Sequence, residues 1–510
     1  MKAFVSLVYS LATLQAMVAG ASIPRYFDRS PITRRQLDGN RVQRELGALV
    51  SNTTVIYGPR DSRFAAATAR WNAYAPPRIR VVIEPGQESD VETIVQYCNE
   101  NSIEFLATNG GHGNSRTLGE FYGVQINMAR LDSINIEPSG ESAWFGGGTK
   151  GGQVTRYLWD RGYVTTTGSC DCVGLLGAGL GGGHGRHEGL YGMVSDNFRQ
   201  LNVVLANGST IRVNATSHSD LLWAMKGAGH NFGIVTSFEM NIFPRGPDTW
   251  HYHNYVWRGD KLEEVFTALN ALHSNGTTPP NMAINFGFFF MNTTITEEEP
   301  ILWWTFAYRG PAEEANEHLA PFSAIESVYE ETDDVPYTLI SKAQQNSVDD
   351  FICQEGNERV TATAGLQVYN LTAERQIFEG FKRRVARYPE LAAGCGILHE
   401  GYSTKAVNEQ DPADSAYPFR DDHHLMLFNA VIPPGNRRLE RAAWEWATEV
   451  RDQWNNGQPG RPVNTYVNYA NGFEPVEQMY GQDPWRLERL RELKARYDPT
   501  YRFRFYNPII

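Results

Sequence analysis

The chain is short of positive charge, of cysteine and of long apolar runs. Its 510 residues carry 46 Lys and Arg against 58 Asp and Glu, a formal net charge of -12 with a pI near 5.6. Nucleic acids and anionic membranes attract basic stripes, so neither is an expected partner and a small molecule is the expected ligand. Beyond the first two dozen residues no stretch is long and apolar enough to cross a bilayer. What is abundant is core-forming material: 41% of residues are hydrophobic, with twelve Trp and twenty-four Tyr, which argues against disorder. A chain of this length divides into two or more domains, because single cores stop growing near ~250 residues.

Residues 1–21, MKAFVSLVYSLATLQAMVAGA, combine a positive start at Lys2, an apolar run and small residues at Ala19 and Ala21. That is the pattern of a secretory signal peptide cut after Ala21. Residues 22–59 read as an exposed arm, with Arg34-Arg35 a candidate processing site. Six N-x-S/T sequons, at Asn52, Asn207, Asn214, Asn275, Asn292 and Asn370, fit a glycosylated protein of the secretory route. The five cysteines are Cys98, Cys170, Cys172, Cys353 and Cys395. An odd count in a secreted chain implies one thiol with a different fate, and Cys170 and Cys172 are too close for an easy disulfide.

The densest feature is GSCDCVGLLGAGLGGGHGRHEGLYGMVSDN at 168–197. Glycine loses the most backbone entropy on ordering, so this density implies unusual φ/ψ values or a surface lying close against the chain. Gly177, Gly179 and Gly182 spell the dinucleotide fingerprint, but that mechanism needs a helix to begin there, and the glycines continue through Gly183, Gly185, Gly189 and Gly192. His184-Gly-Arg-His187-Glu188 has neither zinc-helix order, so no metal is expected.

Along the chain, Ile79–Ile83 reads as a strand, 89–101 as a capped helix and Ile103–Thr108 as a second strand. It runs into Asn109, Gly110, Gly111, His112, Gly113 and Asn114, a turn whose consecutive amides can hold phosphate oxygens. Further glycine turns follow at Gly147-Gly148 and before Gly233, Ile234 and Val235, and Leu201–Leu205 with 211–213 reads as a hairpin. Residues 60–245 therefore form an α+β region with four glycine-rich turns that converge on one ligand.

GGHGNS at 110–115, GSCDCVGLLGAGLGGGHG at 168–185, DLLWAMKGAGHNFGIVT at 220–236 and YVNYANG at 466–472 resemble the FAD-linked oxidases of the berberine bridge enzyme type, from about residue 65 to the end. The resemblance implies an α+β fold: a two-part p-cresol methylhydroxylase-type FAD-binding domain (60–245), an antiparallel-sheet substrate domain with helices on one face (246–460), and a tail (461–510) returning to the FAD domain. It implies FAD joined covalently to His112 and, through the motif holding Cys170, Val173 and Gly174, to Cys170. Asp171 and Cys172 depart from the family's Pro-Thr, and Asn109 stands where an Arg is usual, which removes a charge contact to the phosphates. With Cys170 engaged, Cys353 and Cys395 are a candidate pair. Gly177, Gly182, Gly183, His184 and Gly185 carry over as cofactor-binding positions, Tyr466 as catalytic base or substrate hydrogen-bond partner, and Asn468 as a flavin or tail contact.

In the second half, strands at 251–257, 283–290 and 301–308 alternate with amphipathic helices at 261–272 and 311–325, which leaves one sheet face to roof the cofactor. Residues 416–428 read as another strand, with Asp421, Asp422, His423 and His424 candidates for the substrate pocket. The activity implied is hydride transfer from a substrate alcohol, amine or sugar C–H to the flavin, which dioxygen reoxidises to release hydrogen peroxide. Secondary-metabolite intermediates are slightly favoured over oligosaccharides, and a non-catalytic secreted glycoprotein is the rival of another class.

Overall fold

The computed structural model describes residues 37–510; the signal peptide and Arg34-Arg35 lie outside the described residues. Part of the expected arm is folded. Helix Gly39–Leu46 buries Val42 and Leu46, one turn apart on one face, and Asp38 caps it by accepting from the Arg41 N–H at 3.0 Å. The strand that follows joins the first sheet.

In chain order the strands are β1 (Val55–Tyr57), β2 (Arg78–Glu84), β3 (Phe105–Thr108), β4 (Tyr122–Asn127), β5 (Ile134–Ile136), β6 (Ser142–Gly146), β7 (Tyr163–Val164), β8 (Phe198–Val204), β9 (Thr210–Asn214), β10 (Ile234–Asn241) and β11 (Phe243–Pro244). The first four make one sheet in the order β1-β2-β4-β3, with β2, β4 and β3 parallel. A second, antiparallel sheet runs β5-β6-β10-β8-β9. Helix Glu88–Glu100 connects β2 and β3, its start fixed by a capping box between Gln87 and Asp90.

Seven further strands, β12 (Trp250–Trp257), β13 (Met282–Phe290), β14 (Ile301–Tyr308), β15 (Tyr329–Val335), β16 (Glu358–Leu366), β17 (Cys395–Tyr402) and β18 (His424–Ile432), build one antiparallel sheet in the order β15-β12-β14-β13-β17-β18-β16. Helices Leu262–His273, Ala312–Ser323, Leu371–Arg387 and Arg437–Asn456 cover one face, burying Phe266, Phe322, Phe378 and Trp446 against Trp304, Phe289 and Phe428. Strand β14, ILWWTFAY, is buried along its whole length because both faces of the sheet are covered. Edge strand β15 carries Glu330, Glu331, Asp333 and Asp334 and is exposed, a composition that discourages further strand pairing.

Two expectations change. The glycine-rich stretch does contain helix, at Leu175–Leu180 and Glu188–Tyr191, in pieces of one turn or so between bends. Strand β18 begins only at His424, so residues 416–423 are an irregular approach to it. Tyr466 and its neighbours form a turn, closed by the Tyr469 and Ala470 N–H groups donating to the Tyr466 carbonyl. The tail returns to the first half: helix Pro484–Tyr497 buries Leu487, Leu490 and Leu493 against a core shared with Leu221 and Met225. Within it the Lys494 ammonium donates to the Asn231 carbonyl and to Asp498, each at 2.7 Å.

Candidate functional site

Between the two halves lies a cavity of about 380 Å³. Its floor is main chain. Thr108 ends β3, and Asn109 to Asn114 follow it along the cavity wall, with Gly147, Cys170, Val173, Gly174, Gly177, His184, Gly233, Ile234, Val235, Tyr466 and Asn468 lining it too. Among the described residues, no backbone N–H from Gly110 to Asn114 donates to a protein acceptor. Five such amides in succession along a cavity wall are suited to cradle an anionic ligand. Gly111 turns the chain at φ +68°, where a Cβ would stand 2.9 Å from the Ala69 carbonyl.

Four expected positions, Gly148, Gly182, Gly183 and Gly185, are not on the cavity wall. Their need for glycine comes from the protein itself: a Cβ at Gly148 would lie 2.1 Å from the Met128 carbonyl and one at Gly185 only 1.7 Å from that of Thr167. Asn109, in the place of the family's Arg, donates through Nδ2 to the carbonyls of Gly147 (3.3 Å) and Thr149 (2.9 Å), tying two of the turns together.

His112 faces the cavity with its ring stacked on Trp71, centroids 6.0 Å apart. Burial, aided by the charges of Lys150 and Arg359, pushes its imidazole down to about 4, so it is neutral and nucleophilic near neutral pH. Cys170 is a free thiol at the same wall, pushed up to about 12 by burial first and then by Glu400. It stays protonated, so the protein alone does not prepare a thiolate.

The disulfide joins Cys172 to Cys353, not Cys353 to Cys395. Residues 344–353 fold back onto 168–174, where the Asp171 N–H donates to the Asn346 carbonyl at 3.0 Å and Arg186 bridges the Ser169 carbonyl to Gln344. That contact brings Cys353 to Cys172, while Cys395 begins β17 inside the helix-covered core. The Asp421 to His424 group does not reach the cavity either. Asp422 is buried against Asn464 and Arg461, and His424 stacks on Tyr369 at 3.9 Å on the helix side.

The roof comes from alternate residues of three neighbouring strands, Phe286 and Phe288 on β13, Leu398, Glu400 and Tyr402 on β17, and Leu427 on β18. Glu400 is a single carboxyl in an apolar setting. Burial pushes it up to about 7, opposed by the Tyr469 hydroxyl, which donates to it at 2.7 Å, and by the charge of His184. Tyr469 also lines the cavity. Glu400 does not stand out in the sequence, and although Tyr469 belongs to the YVNYANG motif its pairing with Glu400 does not show there, because 69 positions separate the two.

Tyr466 accepts two hydrogen bonds at its hydroxyl, from the Gly183 N–H at 3.2 Å and from Asn468 Nδ2 at 2.7 Å, and burial pushes its phenol upward. Asn468 also donates to the Ala178 carbonyl at 2.9 Å, fixing the tail to the glycine stretch. His184 sits edge-on to Tyr466, with Nδ1 3.1 Å from both Glu188 oxygens and Nε2 2.8 Å from the Tyr417 hydroxyl. Burial opposes its protonation, but the Glu188 carboxylate prevails and holds it above the usual histidine range.

Residues 79–214 match the FAD binding domain family, and residues 465–510 match the berberine and berberine-like family. FAD-linked oxidoreductase anuG of Penicillium roqueforti is 50% identical over 94% of this chain and 94% of its own. FAD-linked oxidoreductase iacH of Pestalotiopsis fici is 48% identical over 98% of this chain and 97% of its own. Among solved structures, a chitooligosaccharide oxidase shares the fold with a TM-score of 0.76 at 19% identity, over 92% of this chain and 98% of its own. Amide cradle, cavity-facing imidazole and returning tail thus meet matched families at both ends of the site, and the chain belongs to the berberine bridge enzyme-like FAD-linked oxidoreductases.

Proposed function

We propose that this enzyme is a secreted oxidase that holds FAD covalently through His112, with Cys170 as a second attachment, and oxidises a largely apolar metabolite at a carbon bearing a hydroxyl or amine. The observation that carries the reading is the meeting, in one cavity, of the His112 turn with its five undonated amides and the buried Tyr469–Glu400 pair. When bound, FAD supplies the ring that accepts hydride and, with dioxygen, forms hydrogen peroxide.

Substrate oxidation also releases a proton from the heteroatom, and the chain's own residues must take it. Tyr469 with Glu400 is better arranged for this than Tyr466: its hydroxyl already donates to a carboxylate, so a proton gained by the phenol oxygen can be matched by one passed to Glu400. Tyr466, with Gly183 and Asn468 donating to its oxygen, is fixed in place and keeps its own proton to offer to a substrate or cofactor acceptor. Phe286, Phe288, Leu398 and Leu427 exclude water and give a polyhydroxylated sugar little to bond with, so an aromatic or terpenoid intermediate suits the roof better than an oligosaccharide.

The secretory route draws support from surface sequons and the disulfide. Asn52, Asn207, Asn275 and Asn370 are exposed and open to glycans, whereas Asn214 and Asn292 are half-buried. The Cys172–Cys353 bond suits an oxidising compartment. Among the described residues no helix is long and apolar enough to cross a membrane.

Acid precipitation tests attachment: the pellet is expected to stay yellow in the wild type and to lose its colour in His112→Ala when Cys170 is also replaced. A yellow supernatant from the wild type overturns covalent attachment. Peroxide release across apolar alcohols, amines and sugars then tests the substrate class, and turnover confined to sugars overturns the apolar reading.

A further inference from the structure

We propose that Arg70 is the counter-charge for the pyrophosphate of FAD, filling from another segment the role left open where Asn109 replaces the family's arginine. The inference rests on the cofactor reading above and adds a residue to it. Arg70 is 5% exposed, yet its guanidinium has no carboxylate within ion-pair distance among the described residues. Its hydrogen bonds within the protein go to neutral acceptors, the Ala69 carbonyl at 3.0 Å and Gln125 Oε1 at 2.5 Å. A guanidinium carries five N–H groups, so three remain to serve a ligand. Burial pushes the group down to about 10, opposed by the more distant charge of Glu355, and leaves it charged at neutral pH.

A buried cation without an anion is rare in a folded protein unless something supplies the missing charge. Here the position says what supplies it. Arg70 lines the cavity and lies against the glycine turn: a Cβ built at Gly111 would stand 3.5 Å from Arg70 Cδ and 3.6 Å from Nη1. The guanidinium therefore borders the run of amides from Gly110 to Asn114 that also lack protein acceptors. Amides and guanidinium together form one donor set with no carboxylate in ion-pair contact, Glu355 acting on Arg70 only from beyond that distance, and the set suits a group with several charged oxygens and bidentate Arg–phosphate geometry.

The neighbouring cations do not compete for this role. Arg502, also at the cavity wall, has Glu104 at 3.8 Å and donates to the Ile103 carbonyl. Arg359 packs over Trp71 and donates to main-chain carbonyls and Asn429, away from the wall.

Reversible binding is needed to read affinity, so the test uses the full chain carrying His112→Ala and Cys170→Ala, titrated with FAD, ADP and riboflavin by calorimetry or fluorescence. Adding Arg70→Gln is expected to weaken FAD and ADP about tenfold or more while leaving riboflavin, which has no phosphate, unchanged. Arg70→Lys keeps the charge without the fork and is expected to fall between; it also decides the matter if Arg70→Gln does not fold. Equal losses for riboflavin and FAD, or no loss for ADP, overturn the proposal. A parent variant that binds ADP but not riboflavin or FAD instead overturns the cofactor reading beneath it.

Discussion

The floor and the roof of the cavity differ in what they are made of. The floor is largely main chain, brought close by glycines, and most of its chemistry is that of amides, to which the side chains of Arg70, His112 and Cys170 are added. The roof is side chains on alternate positions of β13, β17 and β18, and its chemistry is that of Phe286, Phe288, Glu400 and Leu427 in particular. Substitution on the floor therefore acts on folding and cofactor retention, while substitution on the roof acts on turnover and substrate choice.

The largest expected effect is that of Gly185→Ala, in the glycine stretch but off the cavity wall, where the protein itself and not a ligand demands glycine. The added methyl would meet the Thr167 carbonyl at 1.7 Å, a main-chain atom with no flexible side chain to yield. A loss of more than about 3 kcal/mol is expected, seen as failure to accumulate folded protein or as a large fall in Tm. Near-normal stability would show that the glycine stretch is looser than drawn.

On the roof, Glu400→Gln is expected to leave flavin content intact and to slow turnover by about 10² to 10⁴-fold, the usual share of a general base. The wild-type pH profile gives the same test without mutation. Glu400 accepts a proton only as the carboxylate, and with its ionisation pushed up to about 7, kcat/KM is expected to fall as pH drops below that point. A flat profile from pH 5 to 8 removes Glu400 from the proton path.

Cys172→Ser opens a link between the glycine-rich stretch and the segment before β16 that spans 181 residues. Loss of such a cross-link is expected to cost about 2 to 4 kcal/mol, read as a lower Tm under non-reducing conditions. Cys395→Ser changes no disulfide and serves as the control for thiol substitution.

The smallest expected effect separates glycines the protein needs from those a ligand needs. Gly177 lines the cavity, and a Cβ there meets nothing within 4 Å. Gly177→Ala is expected to leave apo-protein stability unchanged to within about 0.5 kcal/mol while lowering FAD occupancy. Unchanged occupancy would place the cofactor away from this bend.

Residues whose role is local were legible. The turn from Asn109 to Asn114 follows a strand, helix Glu88–Glu100 announces itself by spacing and cap, and the β8–β9 hairpin by its Asn207-Gly208 turn. The misjudged ones depend on distant partners. Asp422 and His424 look like part of a substrate pocket along the chain, yet neither reaches the cavity, since Asp422 is spent on Arg461 and Asn464 and His424 on Tyr369. Cys395 looked available for Cys353 until the fold placed one in a core and the other on a loop above Cys172.

By itself the sequence determined where the backbone must bend and hence that a cradle exists, because φ/ψ demands and helix caps are settled within a few residues. Which side chains face one another across that cradle was decided only by tertiary structure. Tyr469 with Glu400, Cys172 with Cys353 and Arg70 with the Gly111 turn are pairings of segments dozens to hundreds of residues apart, and such contacts follow from sheet order and domain packing, which no local pattern encodes.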